Sequence, residues 1–66
     1  MTPRFKTRQL VKLRHDTVLL HSLLTVPAGS IGIVNRVYAG SLLVDVRFLD
    51  IRGIHGVPAF ELEMSD

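Results

Sequence analysis

Cysteine is absent from this chain, which excludes disulfide bonds and thiolate metal sites. Long hydrophobic runs are absent as well: polar residues interrupt the most apolar segment, residues 18–26, which is far shorter than the ~20 residues needed to cross a bilayer. The same segment follows too many charges to be a signal peptide. Aromatic residues are scarce, with three phenylalanines and one tyrosine. These absences predict a soluble, cytoplasmic protein that does not enter a membrane.

Apolar residues, in contrast, are plentiful for so short a chain. They make up 47% of the 66 residues, and 25 of them are leucine, valine, isoleucine or phenylalanine. A chain of this length forms a single domain, here 1–66, and buries only about 60% of its unfolded surface. A small five-stranded barrel has inward positions for about a dozen large side chains. The excess of large apolar residues over inward positions predicts a surface that is covered by a second copy or by another protein.

Charge is distributed unevenly, although the net charge is only +2. Five of the eight basic residues precede the first acid, Asp16, and three of the six acids lie in the last six residues. One interpretation is that the two ends of the chain neutralise each other as neighbouring strands. The other is a basic face for an anionic partner. The five basic residues occupy even positions and would share one face of an extended chain: Arg4, Lys6, Arg8, Lys12 and Arg14.

Alternation and turn signals predict an all-β fold. Pro27 and Gly29 mark a turn before the longest β-branched strand, and Gly29 supplies the positive φ that such a turn needs. Gly32, inside that strand, marks a bulge or a bend. Ile31, Ile33 and Val37 have one parity and Val34 the other, so if both sets are buried, a bulge near Asn35 and Arg36 must change the parity. A 3₁₀ turn is predicted at 58–60. The predicted strands are 9–14, 30–38, 42–49, 54–57 and 61–64.

The predicted core takes the inward residues of these strands. Leu42 is expected to point inward with the third strand, whereas Leu43 and Leu49 fall on its outer face. Residues 1–8 are expected to be a partly ordered basic arm. The core residues are Val11, Leu13, Val34, Val37, Val44, Val46, Phe48 and Leu62.

Residues 15–25 allow two interpretations. Their leucines would form one stripe of a short helix that Asp16 could cap, or they would line a long loop over the open end of a barrel. No glycine or proline lies between Asp16 and Val26 to decide between them. We favour the packed loop with one helical turn.

Four segments resemble the SH3-like barrels, and together they cover nearly the whole chain. They are Leu10-Val11-Lys12-Leu13, Pro27-x-Gly29-x-x-Gly32-x-Val34-x-x-Val37, Val44-Asp45-Val46-Arg47-Phe48 and Phe60-Glu61-Leu62. The chain is similar to small stand-alone bacterial SH3-like proteins, to KOW motifs, and to the accessory barrels of electron-transfer complexes such as photosystem I and ferredoxin-thioredoxin reductase. The resemblance implies a five-stranded SH3-like barrel with a long loop between strands one and two. It implies no particular function.

Catalytic signals are weak. His15, His21 and His55 match no metal-binding spacing, and Gly29-x-x-Gly32 precedes a strand, whereas an anion site of the phosphate-loop kind needs a helix N-terminus. The groove with which signalling SH3 domains bind proline-rich peptides has no counterpart among so few aromatic residues. We therefore expect no enzyme activity, no cofactor and no metal.

Two functional classes remain open. In the first, the chain is a protein-interaction or assembly module, either an accessory subunit or a homo-oligomer. Its interface would use the spare leucines Leu19, Leu20, Leu23, Leu24, Leu43 and Leu49. In the alternative, it is a KOW-like nucleic-acid-binding module whose five basic N-terminal residues meet phosphates, with Phe5 or Tyr38 available to stack on a base.

Overall fold

The computed structural model describes residues 5–19 and 22–65, and in these ranges the chain is all-β with one 3₁₀ helix. The predicted strands are confirmed to within one or two residues, and the 3₁₀ turn lies one residue later than predicted. The elements are β1 (Leu10–Leu13), β2 (Thr17–Val18), β3 (Thr25–Val26), β4 (Ile31–Val37), β5 (Leu43–Phe48), β6 (His55–Pro58), the 3₁₀ helix (Ala59–Glu61) and β7 (Leu62–Met64).

Five of the strands form one antiparallel sheet in the order β6-β5-β4-β1-β7, and β2 pairs with β3 in a separate two-stranded sheet. The strands β4, β5 and β6 follow one another as a meander, whereas β7 returns to the far side of β1. Within the described ranges no pairing joins β6 to β7, so the five-stranded sheet is open and these two strands are its edges.

The longest strand, β4, changes register at the predicted position. Its pairing with β5 shifts between Val34 and Arg36, which places a bulge at Asn35. The pairing continues through Gly32 without a shift, so that glycine marks a close approach of β5 and not a bulge. The turn before β4 is confirmed: Gly29 has φ +87°, and Ser30 N donates to Pro27 O at 3.2 Å.

The core lies on the inner face of the five-stranded sheet. Seven of the eight predicted core residues are buried. Val37 is 41% exposed, because it ends β4 beyond the part that pairs with β1. The inward prediction for Leu42 is also wrong: this residue precedes β5 and is 70% exposed. The buried set includes five residues that were not in the predicted core, namely Phe5, Leu19, Val26, Val57 and Ala59.

The described residues of the segment 15–25, which are 15–19 and 22–25, form neither a helix nor an irregular loop. Thr17 pairs with Val26, and Val18 pairs with Thr25, so the ends of this segment form a short hairpin. The Asp16 carboxylate accepts a hydrogen bond from Ala28 N at 2.8 Å instead of capping a helix. The side chains that anchor the hairpin to the core are Leu19 and Val26, each 1% exposed.

The segment before β1 packs on the sheet from Phe5 onward. Phe5 is 6% exposed and belongs to the core, and Gln9 N donates to Lys6 O at 3.1 Å across a tight turn. Arg8 has φ +73° in this turn, so the chain is not extended between residues 6 and 9. The predicted common face for the five basic residues is therefore wrong at Lys6. A partly ordered arm remains a prediction for residues 1–4, which lie outside the described residues.

Candidate protein-interaction surfaces

The leucines predicted to form an interface are not gathered in one place. Leu19 is 1% exposed and belongs to the core, so its prediction as a surface residue is wrong. Leu20 lies outside the described residues. Leu23 and Leu24, between β2 and β3, are 76% and 51% exposed.

The remaining pair, Leu43 and Leu49, lies at opposite ends of β5. They share the outer face of that strand but are six residues apart, which is about 20 Å along an extended chain. Asp45 and Arg47 occupy the face between them. The two leucines therefore belong to separate surfaces.

The surface around Leu49 contains four aliphatic residues, three of them on β1 and β4 and one directly after β5. In β1 and β4, Leu10 is paired with Ile33, and Lys12 is paired with Ile31. Ile31 O accepts a hydrogen bond from Leu49 N at 3.1 Å, which brings the residue after β5 alongside. Because paired residues of neighbouring strands point to the same side of a sheet, these side chains share its outer face. We call the set Leu10, Ile31, Ile33 and Leu49 the aliphatic patch.

The patch arises from the same alternation that builds the core. Val11, Gly32 and Val34 point inward, so their neighbours Leu10, Ile31 and Ile33 must point outward. A sheet face exposed to water ordinarily carries polar residues at such positions. Instead, Leu10 is 43%, Ile31 40% and Leu49 62% exposed, and Ile33 is half-buried. Only Leu49 of these four was predicted as an interface residue; the outward parity of β1 and β4 was the signal for the others.

Cationic side chains border the aliphatic patch. Arg47 is paired with Ile33 across β4 and β5, and it shares the outer face of the sheet. The loop after β5 contributes Arg52, and residues 47–53 line an open concavity of about 490 Å³. Within residues 5–19 and 22–65, the contacts of basic with acidic side chains are the ion pair Lys12–Glu63 and the approach of His15 to Glu61. Neither Arg47 nor Arg52 is among them.

The basic and acidic ends of the chain do meet as neighbouring strands. Lys12 is paired with Glu63 across β1 and β7, and Lys12 Nζ lies 3.9 Å from Glu63 Oε1. Arg14 N donates to Glu61 O at 2.8 Å. The interpretation that the two ends neutralise each other is therefore confirmed for Lys12. Lys6, Arg8 and Arg14 stay exposed, and Arg4 lies outside the described residues.

The surface near Leu43 is polar as well as apolar. The Tyr38 hydroxyl donates to Asp45 Oδ2 at 2.9 Å, and the Arg36 guanidinium carbon lies 5.2 Å from the centre of the Tyr38 ring. The hydrogen bond to the Asp45 carboxylate, together with desolvation and the negative charge of Asp45, raises the pKa of Tyr38 above its usual value of 10.0. Leu43 is paired with Pro58 at the edge of the sheet. At this end of β5, the Asp45 carboxylate and the Arg36 guanidinium already contact Tyr38 within the chain.

The two described histidines, His15 and His55, do not lie together. His15 Nδ1 lies 3.6 Å from Glu61 Oε2, and His55 Nε2 lies 3.0 Å from Arg52 O, on separate elements of the fold. His21 lies outside the described residues. No cluster of three metal-binding side chains occurs in the part of the chain that the structure describes. Over the same residues, every buried side-chain nitrogen and oxygen has a hydrogen-bond partner.

Across the described residues, there is no helix with the length and apolar character needed to span a membrane. Comparison of the chain with models of protein families, with curated proteins and with solved structures found no match.

Proposed function

We propose that this chain is a small non-enzymatic protein-interaction or assembly module, an accessory subunit or a homo-oligomer, built on an SH3-like barrel. The strand order and the 3₁₀ helix before the last strand support the barrel assignment. So does the bulge in the longest strand, because small barrels need strongly bent strands.

The aliphatic patch is the observation that carries the proposed function. Three of its residues lie on the paired strands β1 and β4, and the fourth, Leu49, directly follows β5 and donates its N–H to Ile31 O at 3.1 Å, so backbone hydrogen bonds hold all four in place. Covering a leucine or isoleucine side chain fully is worth about 1.5–3 kcal/mol, and Leu49 alone leaves more than half of its surface in water. A contiguous apolar surface on a small protein usually marks an interface.

The absence of enzyme activity is part of the proposal. It is supported by the separation of His15 from His55 and by the way each imidazole already contacts a neighbour in the chain. A general base needs a convergent set of polar groups around a reacting atom.

Light scattering and pull-down assays on wild type and on Leu49→Asp test the proposed function. We expect concentration-dependent self-association, or capture of a partner protein, that Leu49→Asp abolishes. The matched control is Leu42→Asp, which introduces the same charge at a similarly exposed leucine outside the patch and outside the predicted interface. Two results together would contradict the proposal. The wild-type protein would stay monomeric at high concentration, and it would capture either no partner or only partners that Leu49→Asp also captures.

Nucleic-acid binding is the second candidate, and the exposed cations Lys6, Arg8 and Arg14 favour it. None of them forms an ion pair within the described residues. If they bind phosphates, affinity for random DNA or RNA should fall steeply with salt, and alanine at Lys6 and Arg8 should flatten that slope. Alanine at Lys12 is the matched control, since Glu63 already contacts that side chain. Absence of binding at low salt would exclude this candidate.

A further inference from the structure

We propose that the partner of the aliphatic patch is an acidic amphipathic segment of a different protein, whose aliphatic side chains cover the patch and whose carboxylate binds between Arg47 and Arg52. The inference rests on the proposed function and adds the chemistry of the partner. Apolar surface and positive charge are adjacent here, because Leu49 and both arginines line the same concavity of about 490 Å³.

Charge complementarity indicates an acidic partner. Arg47 and Arg52 form no ion pair with the described residues, and a guanidinium binds a carboxylate through two parallel hydrogen bonds. Asp50 lines the same concavity, so the net charge of its lining is +1. A segment with one or two carboxylates therefore matches this site better than a strongly anionic polymer.

The charges of the chain disfavour a second copy as the partner. Four of its carboxylates already have partners within the chain: Asp16 accepts from Ala28 N, Asp45 accepts from Tyr38, and Glu61 and Glu63 lie beside His15 and Lys12. Among the described acids this leaves Asp50, which lines the concavity of its own copy together with Arg47 and Arg52. A second copy thus has little negative charge to present to the arginines.

The side chains of the patch favour a protein over a nucleic acid. Bases bind to proteins by stacking on aromatic rings, but the four residues of the patch are leucine and isoleucine. The exposed aromatic residues lie elsewhere. Tyr38 follows the opposite end of β4 from Ile31, and Phe60 lies on the 3₁₀ helix.

This chain must recognise the partner through side chains and not through backbone hydrogen bonds. The strands β1 and β4, which carry three residues of the patch, and β5, which precedes Leu49, each pair with a strand on both sides, so their backbone groups are already used. An extended peptide could add itself as a strand only at β6 or β7, the edges of the sheet. An amphipathic segment that lies across the sheet face satisfies this restriction.

Selection from a displayed library of random peptides, with the full chain as bait, tests the inference. We expect enriched peptides that combine aliphatic with acidic residues. Binding should weaken about tenfold or more in Leu49→Asp and in Arg47→Glu, since central interface residues carry most of the affinity. Arg52→Glu, in the loop after β5, gives a second variant that leaves the strands intact. Lys6→Glu and Leu42→Asp are matched controls away from the patch and should bind normally. Circular dichroism verifies that each variant folds.

Each other outcome overturns the inference in a distinguishable way. Enrichment of basic or uncharged peptides, or equal binding by Leu49→Asp, would refute an acidic partner at the patch. Self-association that Leu49→Asp abolishes, without selected peptides, would identify a second copy as the occupant and leave the proposed function intact. Salt-sensitive binding of an oligonucleotide that Arg47→Glu and Arg52→Glu abolish would indicate a nucleic acid. A monomer that selects no peptide and binds no oligonucleotide would refute both this inference and the proposed function.

Discussion

Replacing Gly32 with alanine should destabilise the protein, because β5 approaches this position too closely for a side chain. A Cβ atom on Gly32 would lie 2.6 Å from Val46 Cγ1, 3.1 Å from Arg47 O and 3.2 Å from Phe48 Cδ1. Val46 and Phe48 are 0% and 3% exposed, so neither side chain has free space into which it could move. The Arg47 carbonyl belongs to the strand that pairs with β4 and cannot retreat without disturbing the sheet.

The magnitude follows from overpacking a core. Extra methyl groups in a well-packed interior cost about 1–3 kcal/mol. A domain of this length has a total stability of about 3–10 kcal/mol, taking 0.05–0.15 kcal/mol per residue. Because 1 kcal/mol shifts the melting temperature of a small domain by about 4–8 °C, Gly32→Ala should lower it by about 5–20 °C. Gly32→Val adds two further methyl groups and should cost more.

Thermal and urea denaturation measure the effect, and Gly56→Ala provides the matched control. A Cβ on Gly56 would meet Leu43 Cδ1 at 3.8 Å and Asp45 Oδ1 at 3.9 Å, which are ordinary contacts. That variant should be neutral, or more stable by up to about 1 kcal/mol, since glycine weakens a strand. Val46→Ala should cost less stability in the Gly32→Ala background than in wild type, because it removes the atom in closest contact with the added Cβ. If Gly32→Ala melts at the wild-type temperature, the close approach of β5 is refuted.

Three other contacts lead to predictions of their own. Phe5→Ala should cost about 3–5 kcal/mol in a denaturation experiment, since Phe5 is 6% exposed; a negligible loss would show that the segment before β1 is not part of the core. Asp16→Ala removes the acceptor of the Ala28 amide and should cost about 1 kcal/mol, with faster hydrogen exchange at Ala28; unchanged exchange would contradict the bond. The pKa of Tyr38 lies above 10.0, so its bond to Asp45 contributes stability below pH 10 and loses it as the pH rises through the raised value. An absorbance titration of this single tyrosine should show a lower pKa in Asp45→Asn, and an equal pKa in both proteins would refute the interaction.

Strand positions were predictable from the sequence because alternation and turn residues act locally. The pattern Val44, Val46, Phe48 located β5, and Gly29 located the turn before β4. The bulge near Asn35 was predictable too, since apolar residues change parity there. These signals depend on neighbours in the sequence, and no distant contact was needed to interpret them.

Residues whose environment depends on distant contacts were predicted less well. Leu19 was assigned to the surface, yet the pairing of Thr17 with Val26 turns it into the core. Val37 has the correct inward parity, but β1 does not extend far enough to cover it. A hairpin whose strands have only two residues produces no periodic pattern in the sequence, and neither does the length of a neighbouring strand.

The aliphatic patch was likewise predicted only where neighbours in the sequence determine the direction of a side chain. Leu49 was identified as an outer-face leucine from the alternation of its own strand. Leu10 and Ile31 were not, because their association with Leu49 depends on the register of β1, β4 and β5. Arg52 joins them through the fold of a loop, which the sequence pattern does not determine.

The position of β7 beside β1 has a consequence for the order in which the protein folds during synthesis. Val11 pairs with Met64, and Leu13 pairs with Leu62, so this contact joins segments that are separated by most of the chain. The meander of β4, β5 and β6 can form as its residues leave the ribosome, since each strand pairs with the next. A nascent chain that ends before residue 62 has an unpaired edge on β1 and lacks Leu62, which is 1% exposed in the folded protein. Pairing of β1 with β7 therefore has to wait until residues 62–64 are available, and until then the free edge of β1 can pair with other chains.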